Sequence, residues 1–91
     1  MSSPAVAVAA AESPAATSFS VQARAEPGVM PRLIELFAKR GLVPERFAAV
    51  IVRPNLRLTV DIEMAGLDRN TVEYVANCMR QVTGVELVLT A

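Results

Sequence analysis

The chain has 91 residues, with nine basic and nine acidic side chains that cancel, one cysteine and no histidine. This length allows one domain, which buries only about 60% of the surface that its unfolded chain exposes and therefore gains from association with another subunit. The balanced charge gives no electrostatic reason to expect a nucleic acid or an anionic membrane as partner, the missing histidine removes the commonest general base, and a single cysteine fits a reducing compartment.

The N-terminal stretch, residues 1–17, is mostly alanine, serine and proline. Such small side chains bury too little area to offset the entropy of ordering, so we predict a disordered tail. The alternative is a helix that forms on a partner through residues 6–11. The apolar run lacks a basic start and is broken by Glu12 and Pro14, which argues against a signal peptide or a membrane span. We expect the folded domain over residues 18–91, in the cytoplasm.

A strand and a helix are predicted on either side of a Pro27-Gly28 corner. Residues 18–24 alternate apolar and polar side chains, which is typical of a half-buried strand. Residues 30–40 predict a helix that Gly41 ends. Its core-facing stripe is expected to consist of Met30, Leu33, Ile34, Phe37 and Ala38.

Two strands joined by a turn follow. Residues 46–53 predict a strand that is apolar on both faces, and residues 56–64 predict one that alternates apolar and charged side chains. The Pro54-Asn55 turn signal makes the two a hairpin.

The second helix and the last strand complete the predicted domain. Asn70, with Glu73 three residues later, is expected to cap the helix, and Gly84 to end it. The last strand should cover residues 85–90. Its apolar face is expected to carry Val85, Leu87 and Leu89.

The order strand, helix, strand, strand, helix, strand predicts an α+β, ferredoxin-like βαββαβ fold. Two helices then cover one face of a four-stranded antiparallel sheet in the order 4-1-3-2. The second strand lies at an edge, and an edge that is apolar on both faces invites pairing. We therefore predict a homodimer in which this strand pairs with a second copy. The dimer edge is expected to contain Phe47, Ala49, Val50 and Ile51.

The residue types argue against several functions that this fold serves elsewhere. The open sheet face lacks the aromatic platform of an RNA-binding module, and the first loop lacks the cysteines of a metal carrier. That loop also lacks the arginine with which an acylphosphatase-like enzyme holds phosphate, and no nucleophile–base pair is present. Cys78 has no cationic neighbour nearer along the chain than Arg80, so we expect an inert thiol. We expect no enzyme activity, no cofactor and no metal.

The Pro27-Gly28 corner is the strongest candidate site. Gly28 lets a ligand approach the backbone closely, and the N–H groups that open the following helix favour a carboxylate. In the edge-paired dimer this corner lies near the second copy. A small amino acid could then bridge two subunits.

Three segments carry a resemblance to a known family. Residues 19–21 (FSV), 26–32 (EPGVMPR) and 36–42 (LFAKRGL) resemble the ACT domain, and they are most similar to the small regulatory subunits of acetolactate synthase. Residues 82–89 resemble that family's last helix-to-strand join. The resemblance implies a dimer that binds an amino acid at its interface and regulates a catalytic large subunit, as in the synthesis of branched-chain amino acids. The implied ligand positions are Glu26, Pro27, Gly28, Val29, Met30, Gly41, Leu42 and Val43.

A second interpretation keeps the same dimer without a ligand. Ala25 and Val43 stand where the family usually has polar side chains that would hydrogen-bond an amino acid. These two replacements favour a pure interaction module, whose tail or open sheet face docks on the large subunit. The intact Pro27-Gly28 pair favours amino-acid sensing.

Overall fold

The computed structural model describes residues 16–91 as one sheet covered by two helices. The elements are β1 (Thr17–Arg24), α1 (Val29–Lys39), β2 (Arg46–Val52), β3 (Arg57–Met64), α2 (Arg69–Arg80) and β4 (Val85–Thr90). All neighbouring strands are antiparallel and follow the order β2-β3-β1-β4, so the ferredoxin-like prediction is confirmed. The predicted disordered tail lies almost wholly outside the described residues, except that Thr17 belongs to β1 and pairs with Met64.

The core lies between the sheet and the helices. Every second residue of the two central strands, β1 and β3, is buried because successive side chains of a strand point to opposite faces. Phe19 of β1 meets Phe37 of α1 edge to face, with ring centroids 6.1 Å apart. The largest fully buried side chains are Phe19, Phe37, Leu33, Leu58, Ile62, Met79, Val21, Val29, Val60, Val75 and Val88.

The buried stripe of α1 differs from the predicted one. Its buried residues are Val29, Leu33 and Phe37. The predicted stripe was wrong for its other members, because Met30, Ile34 and Ala38 are exposed. Both triplets are apolar and both repeat every four residues, so periodicity alone does not choose between them. Packing against the sheet selects the first, which leaves an apolar stripe on the surface.

Three further local features differ from the prediction. Asp68, not Asn70, caps α2, because its side chain accepts a hydrogen bond of 2.7 Å from the backbone N–H of Thr71. β3 begins one residue later than expected because Leu56 lies in the turn with a φ of 53°. On β4 it is Val88 that is buried, and of the predicted apolar face Leu87 and Leu89 point away from the helices, whereas Val85 packs against the core because the register with β1 shifts between them.

Candidate functional site

The corner between β1 and α1 leaves a backbone donor open. Gly28 is the N-cap of α1, and no side chain caps the helix there. The Val29 N–H donates to the Glu26 carbonyl at 3.2 Å, and Pro31 has no N–H to offer. Among residues 16–91 the N–H of Met30 has no hydrogen-bond acceptor. This unused donor points out of the positive end of the helix dipole, where an anion is favoured.

A cationic side chain that the sequence reasoning missed lies at the same corner. The Arg32 guanidinium covers Gly28 so closely that a Cβ on Gly28 would overlap its Nη1. Within the described residues Arg32 makes no salt bridge and no side-chain hydrogen bond. A cation in the first turn is disfavoured by the helix dipole, so helix stability does not explain this placement. Together with the open N–H of Met30 it suits a carboxylate.

Glu26, one of the predicted ligand residues, already has a hydrogen-bond partner within the chain. Its carboxylate accepts a hydrogen bond of 2.9 Å from Nε of Arg24, and this bond raises the pKa of Arg24. The same carboxylate lies against Gly84, where an added Cβ would be 3.1 Å from Glu26 Oε1 and 2.9 Å from Val29 Cγ2. The prediction that Gly84 ends α2 was wrong, because the helix ends at Arg80. Gly84 instead lets the start of β4 pack against the corner.

The second group of predicted ligand residues lies at the far end of α1. Gly41 has a φ of 70°, and the N–H of Leu42 bonds to the Phe37 carbonyl at 2.9 Å. Val43 is 81% exposed. An 11-residue helix is roughly 16 Å long. One chain therefore does not bring residues 26–30 and residues 41–43 together.

Arg40, which precedes this second group, ties α1 to α2. Its guanidinium donates to the Leu36 carbonyl at 3.1 Å, to the Tyr74 hydroxyl at 2.9 Å and to Cys78 Sγ at 3.4 Å. It also lies 4.8 Å from the centroid of the Tyr74 ring, and the bond with Tyr74 raises the pKa of Arg40. Arg80 is the nearest cation to Cys78 along the chain, but Arg40, which is distant in sequence, is adjacent to the thiol in space.

The predicted dimer edge is exposed and apolar. Phe47 and Ala48 are half-buried, and Phe47 packs against the core, whereas Ala49 and the later residues of β2 are exposed. The exposed fractions are 58% for Val50, 43% for Ile51 and 47% for Val52. The exposed stripe of α1, residues 30, 34 and 38, extends this apolar surface. Arg40 holds the opposite flank of α1 against α2, so the stripe faces the β2 side.

The other edge of the sheet is protected. Ser18 and Ala91 exchange both backbone hydrogen bonds, and the alternation of an antiparallel pair then turns the carbonyl of Val88 away from β1. This carbonyl accepts a hydrogen bond of 2.8 Å from Nη2 of Arg80. A side chain of α2 thus occupies an acceptor that a further strand would need.

The larger concave surfaces lie away from the corner. One groove of about 450 Å³ lies beside the start of β1, near Thr17, Arg69 and Thr90. Another of about 520 Å³ lies on the open sheet face, near Ser20 and Asp61. Both are at the opposite end of the sheet from Gly28. A site at the corner would therefore need walls from a second subunit.

Two further features of residues 16–91 bear on function. This part of the chain has no cluster of three or more cysteine or acidic side chains suited to a metal ion. Neither α1 nor α2 is long and apolar enough to cross a membrane.

Comparisons with known proteins agree with this architecture. The ACT domain of a GTP pyrophosphokinase from Chlorobium tepidum superposes with a TM-score of 0.71 at 10% identity, covering 84% of this chain and 96% of that one. An uncharacterized protein of Thermotoga maritima gives 0.69 at 14% identity, covering 85% and 94%. The C-terminal domain of the MgtC protein of Mycobacterium tuberculosis gives 0.68 at 15% identity, covering 88% of both.

At the level of sequence, no curated protein matches the chain. A family model described as an ACT-like domain does match, over residues 10–90. The chain therefore belongs to the ACT-like domain family, whose members are generally non-catalytic regulatory modules.

Proposed function

We propose that this chain is a regulatory domain that dimerises through β2 and binds a small amino acid between its two subunits. It would modulate a cytoplasmic biosynthetic enzyme such as acetolactate synthase, whose small regulatory subunits the sequence resembles. The observation that carries the proposal is the open N–H of Met30 beside the Arg32 guanidinium, because these two groups suit the carboxylate of an amino acid.

The strand registers explain how a dimer would complete the site. Arg24, Arg57 and Val52 are aligned at one end of the sheet, so the corner lies at the end where β2 finishes. Residues 41–43 lead into Arg46, at the end where β2 starts. Antiparallel pairing of β2 with the same strand of a second copy puts the start of one beside the end of the other. Residues 41–43 of the second copy then approach the corner of the first.

The surface of β2 and α1 supports this mode of pairing. Pairing two β2 edges about Ala49, the middle residue of the strand, satisfies their backbone groups and places Ile51 of each copy beside Phe47 of the other. The exposed stripe of α1 around Ile34 would pack against its counterpart, which accounts for an apolar surface that the monomer leaves open. The protected β4 edge favours β2 as the strand that pairs.

Regulation would then follow from linkage. A ligand that contacts both subunits binds the dimer better than the monomer and stabilises one arrangement of the two. A catalytic partner that prefers this arrangement would change its activity with the concentration of the amino acid. One structural neighbour is the ACT domain of a GTP pyrophosphokinase, which favours a role beside a catalytic partner.

The second candidate is the same dimer without a ligand. Ala25 and Val43 are exposed and offer no side-chain hydrogen bond. Losing a hydrogen bond to a charged group costs about 1.5–3 kcal/mol, or about tenfold to a hundredfold in affinity. These two positions favour a pure interaction subunit.

Calorimetric titration of the full chain with valine, leucine and isoleucine separates the candidates. We expect binding at millimolar ligand or below, and its loss in Gly28→Val and in Arg32→Gln. Gly28 has a φ of −81°, which any residue adopts, so its variant should fold. Arg69→Gln is the matched control, a first-turn arginine of the other helix.

Absence of heat and of any change in melting temperature with every amino acid would favour the ligand-free module. Binding that survives in Gly28→Val would place the ligand elsewhere. Light scattering tests the dimer separately, because Ile51→Lys should give a monomer or an aggregate.

A further inference from the structure

The open face of the sheet, which is the face opposite the helices, carries an apolar row on β2. Ala48, Val50 and Val52 pair with Asp61, Thr59 and Arg57 of β3, and so they share that strand's open face. Val50 is 58% exposed and Val52 is 47% exposed. In one chain this row lies at the margin of the sheet.

Dimerisation through β2 would place this row in the middle of the sheet that the two copies form together. The inference rests on that part of the proposed function. Paired strands lie about 4.8 Å apart, so the rows of the two copies would become neighbours in one continuous sheet. The result is an apolar patch on the two-fold axis, with charged residues of β3 on either side. An apolar centre with a polar rim is the usual composition of a protein interface.

We propose that a second dimer covers this patch, face to face, so that the chain forms a tetramer with three mutually perpendicular two-fold axes. Because the patch lies on a two-fold axis and is identical in both halves, a partner with the same symmetry can match it fully. A second copy of the dimer is the simplest partner with that property.

The charges along β3 suit this stacking, which would extend the salt bridges that Arg57 makes with Glu86 and Glu63 makes with Arg46 within one chain. Arg57 lies at one end of the open face, and Asp61 and Glu63 lie toward the other. The two stacked dimers would be related by a two-fold axis that lies in the plane between the sheets and crosses the strands at the level of Val60. It brings Arg57 over Glu63 of the facing copy and Thr59 over Asp61 of the facing copy. Stacked sheets lie about 10 Å apart, a distance that long charged side chains bridge from both sides.

The same two-fold axis also brings matching residues of the outer strand β4 together. Val88 pairs with Val21, which pairs with Val60, so the three residues are level. Leu87 and Leu89 flank Val88 on the open face and are 43% and 54% exposed. The rotation places Leu87 over Leu89 of the facing copy. Apolar side chains thus meet apolar ones on the outer strands, and opposite charges meet on β3.

Sedimentation velocity of the full chain over a wide concentration range tests the stacking. We expect a tetramer that dissociates to dimers, with the dimer–tetramer dissociation constant raised about tenfold or more by Asp61→Lys, because this change removes an acid from the open face and puts a cation over Thr59, next to Arg57, of the facing copy. Val50→Lys should also weaken the tetramer, since it puts a charge into the apolar patch, but Val50 belongs to the pairing strand β2, so Asp61→Lys is the variant that isolates the stacking. Ile51→Lys, next to Val50 on the opposite face of β2, should instead break the β2 dimer and give a monomer or an aggregate.

Each outcome separates the stacking from the dimer on which it rests. A wild-type chain that remains a dimer at high concentration overturns the stacking and leaves the β2 dimer in place. A wild-type monomer overturns both. A tetramer that persists unchanged in Asp61→Lys overturns the stacking, because this residue lies one strand in from the edge and takes no part in β2 pairing.

Discussion

Nη2 of Arg80 donates a hydrogen bond of 2.8 Å to the backbone carbonyl of Val88, on the outer edge of β4. Nη1 of the same guanidinium donates to Asn77 Oδ1 at 2.7 Å, which holds the side chain in place. The two edges of the sheet thus differ in whether their backbone groups are protected. β4 has an acceptor covered by α2, whereas β2 presents exposed apolar residues on both faces.

Removal of Arg80 is expected to open the β4 edge. Arg80→Ala should cost about 1 kcal/mol of folding free energy, the net value of one hydrogen bond. Its larger effect should be concentration-dependent association, since a dimer joined at β2 with two open β4 edges can extend in both directions. Sedimentation velocity measures this association. Arg69→Ala, on the same helix and without a side-chain hydrogen bond in the described part of the chain, is the control and should not associate further.

Two apolar residues of α1 should differ sharply in their effect on stability. Phe37→Ala removes a ring that packs on Phe19 and should lower the free energy of unfolding by about 3–5 kcal/mol. Ile34→Ala, at a half-exposed position one turn earlier, should change it by less than about 0.5 kcal/mol at concentrations where the chain is monomeric. Urea denaturation at low concentration measures both. Equal losses in the two variants would contradict the observed burial of α1.

The outcome for α1 shows how far the sequence alone could reach. The period of two in β1 and β3 and the order of elements were sufficient for the sheet order, because few topologies satisfy the connection rules. The face of α1 was not determined, because apolar residues cover more than half of its circumference. Packing against the sheet decides that face, and Arg40 turns one flank of α1 toward partners on another helix, Tyr74 and Cys78.

The candidate site was less predictable than the fold. The helix-start amides at Gly28 followed from a local pattern of proline and glycine. The cation at the corner, Arg32, depends on a side-chain direction that no spacing rule gives. The role of Gly84 depends on a contact between residues that are more than fifty positions apart, which sequence patterns do not report.

Alanine substitution of two glycines should separate the loss of stability caused by a steric clash from the loss caused by backbone strain. Gly84→Ala places a Cβ 2.9 Å from Val29 Cγ2 on a backbone with a φ of 99°. Gly66→Ala meets no atom within 4 Å at a φ of 81°, so only its backbone is strained, by about 1–2 kcal/mol. We expect Gly84→Ala to be the more destabilising of the two in chemical denaturation, and to weaken any ligand binding at the corner. Equal destabilisation would mean that the contact with Val29 relaxes freely.

The cap of α2 should make stability depend on pH in the acidic range. The hydrogen bonds from Thr71 hold the pKa of Asp68 below its ordinary value. The carboxylate therefore binds its proton less readily in the folded chain, and its stabilising contribution is present at neutral pH. That contribution begins to fall as the pH drops toward the ordinary carboxyl pKa of about 4, and it is lost below the folded value.

Thermal melting of Asp68→Asn against pH checks this prediction. The amide keeps a hydrogen-bond acceptor and does not titrate, so the variant should lose less stability than the wild type between neutral pH and pH of about 3. Parallel curves for the two proteins would show that Asp68 makes no contribution to the acid dependence.

The contact between Arg40 and Cys78 makes the reactivity of the thiol a measure of the state of the segment after α1. The sulfur of the half-buried Cys78 lies 3.4 Å from the guanidinium of Arg40, the residue before Gly41, so we expect the rate of thiol modification to depend on the position of that guanidinium. The rate of thiol labelling should therefore fall whenever an added compound immobilises the segment after α1. Such kinetics would register occupancy of residues 41–43 without a fluorophore, and they need no engineered attachment point because the chain carries a single cysteine.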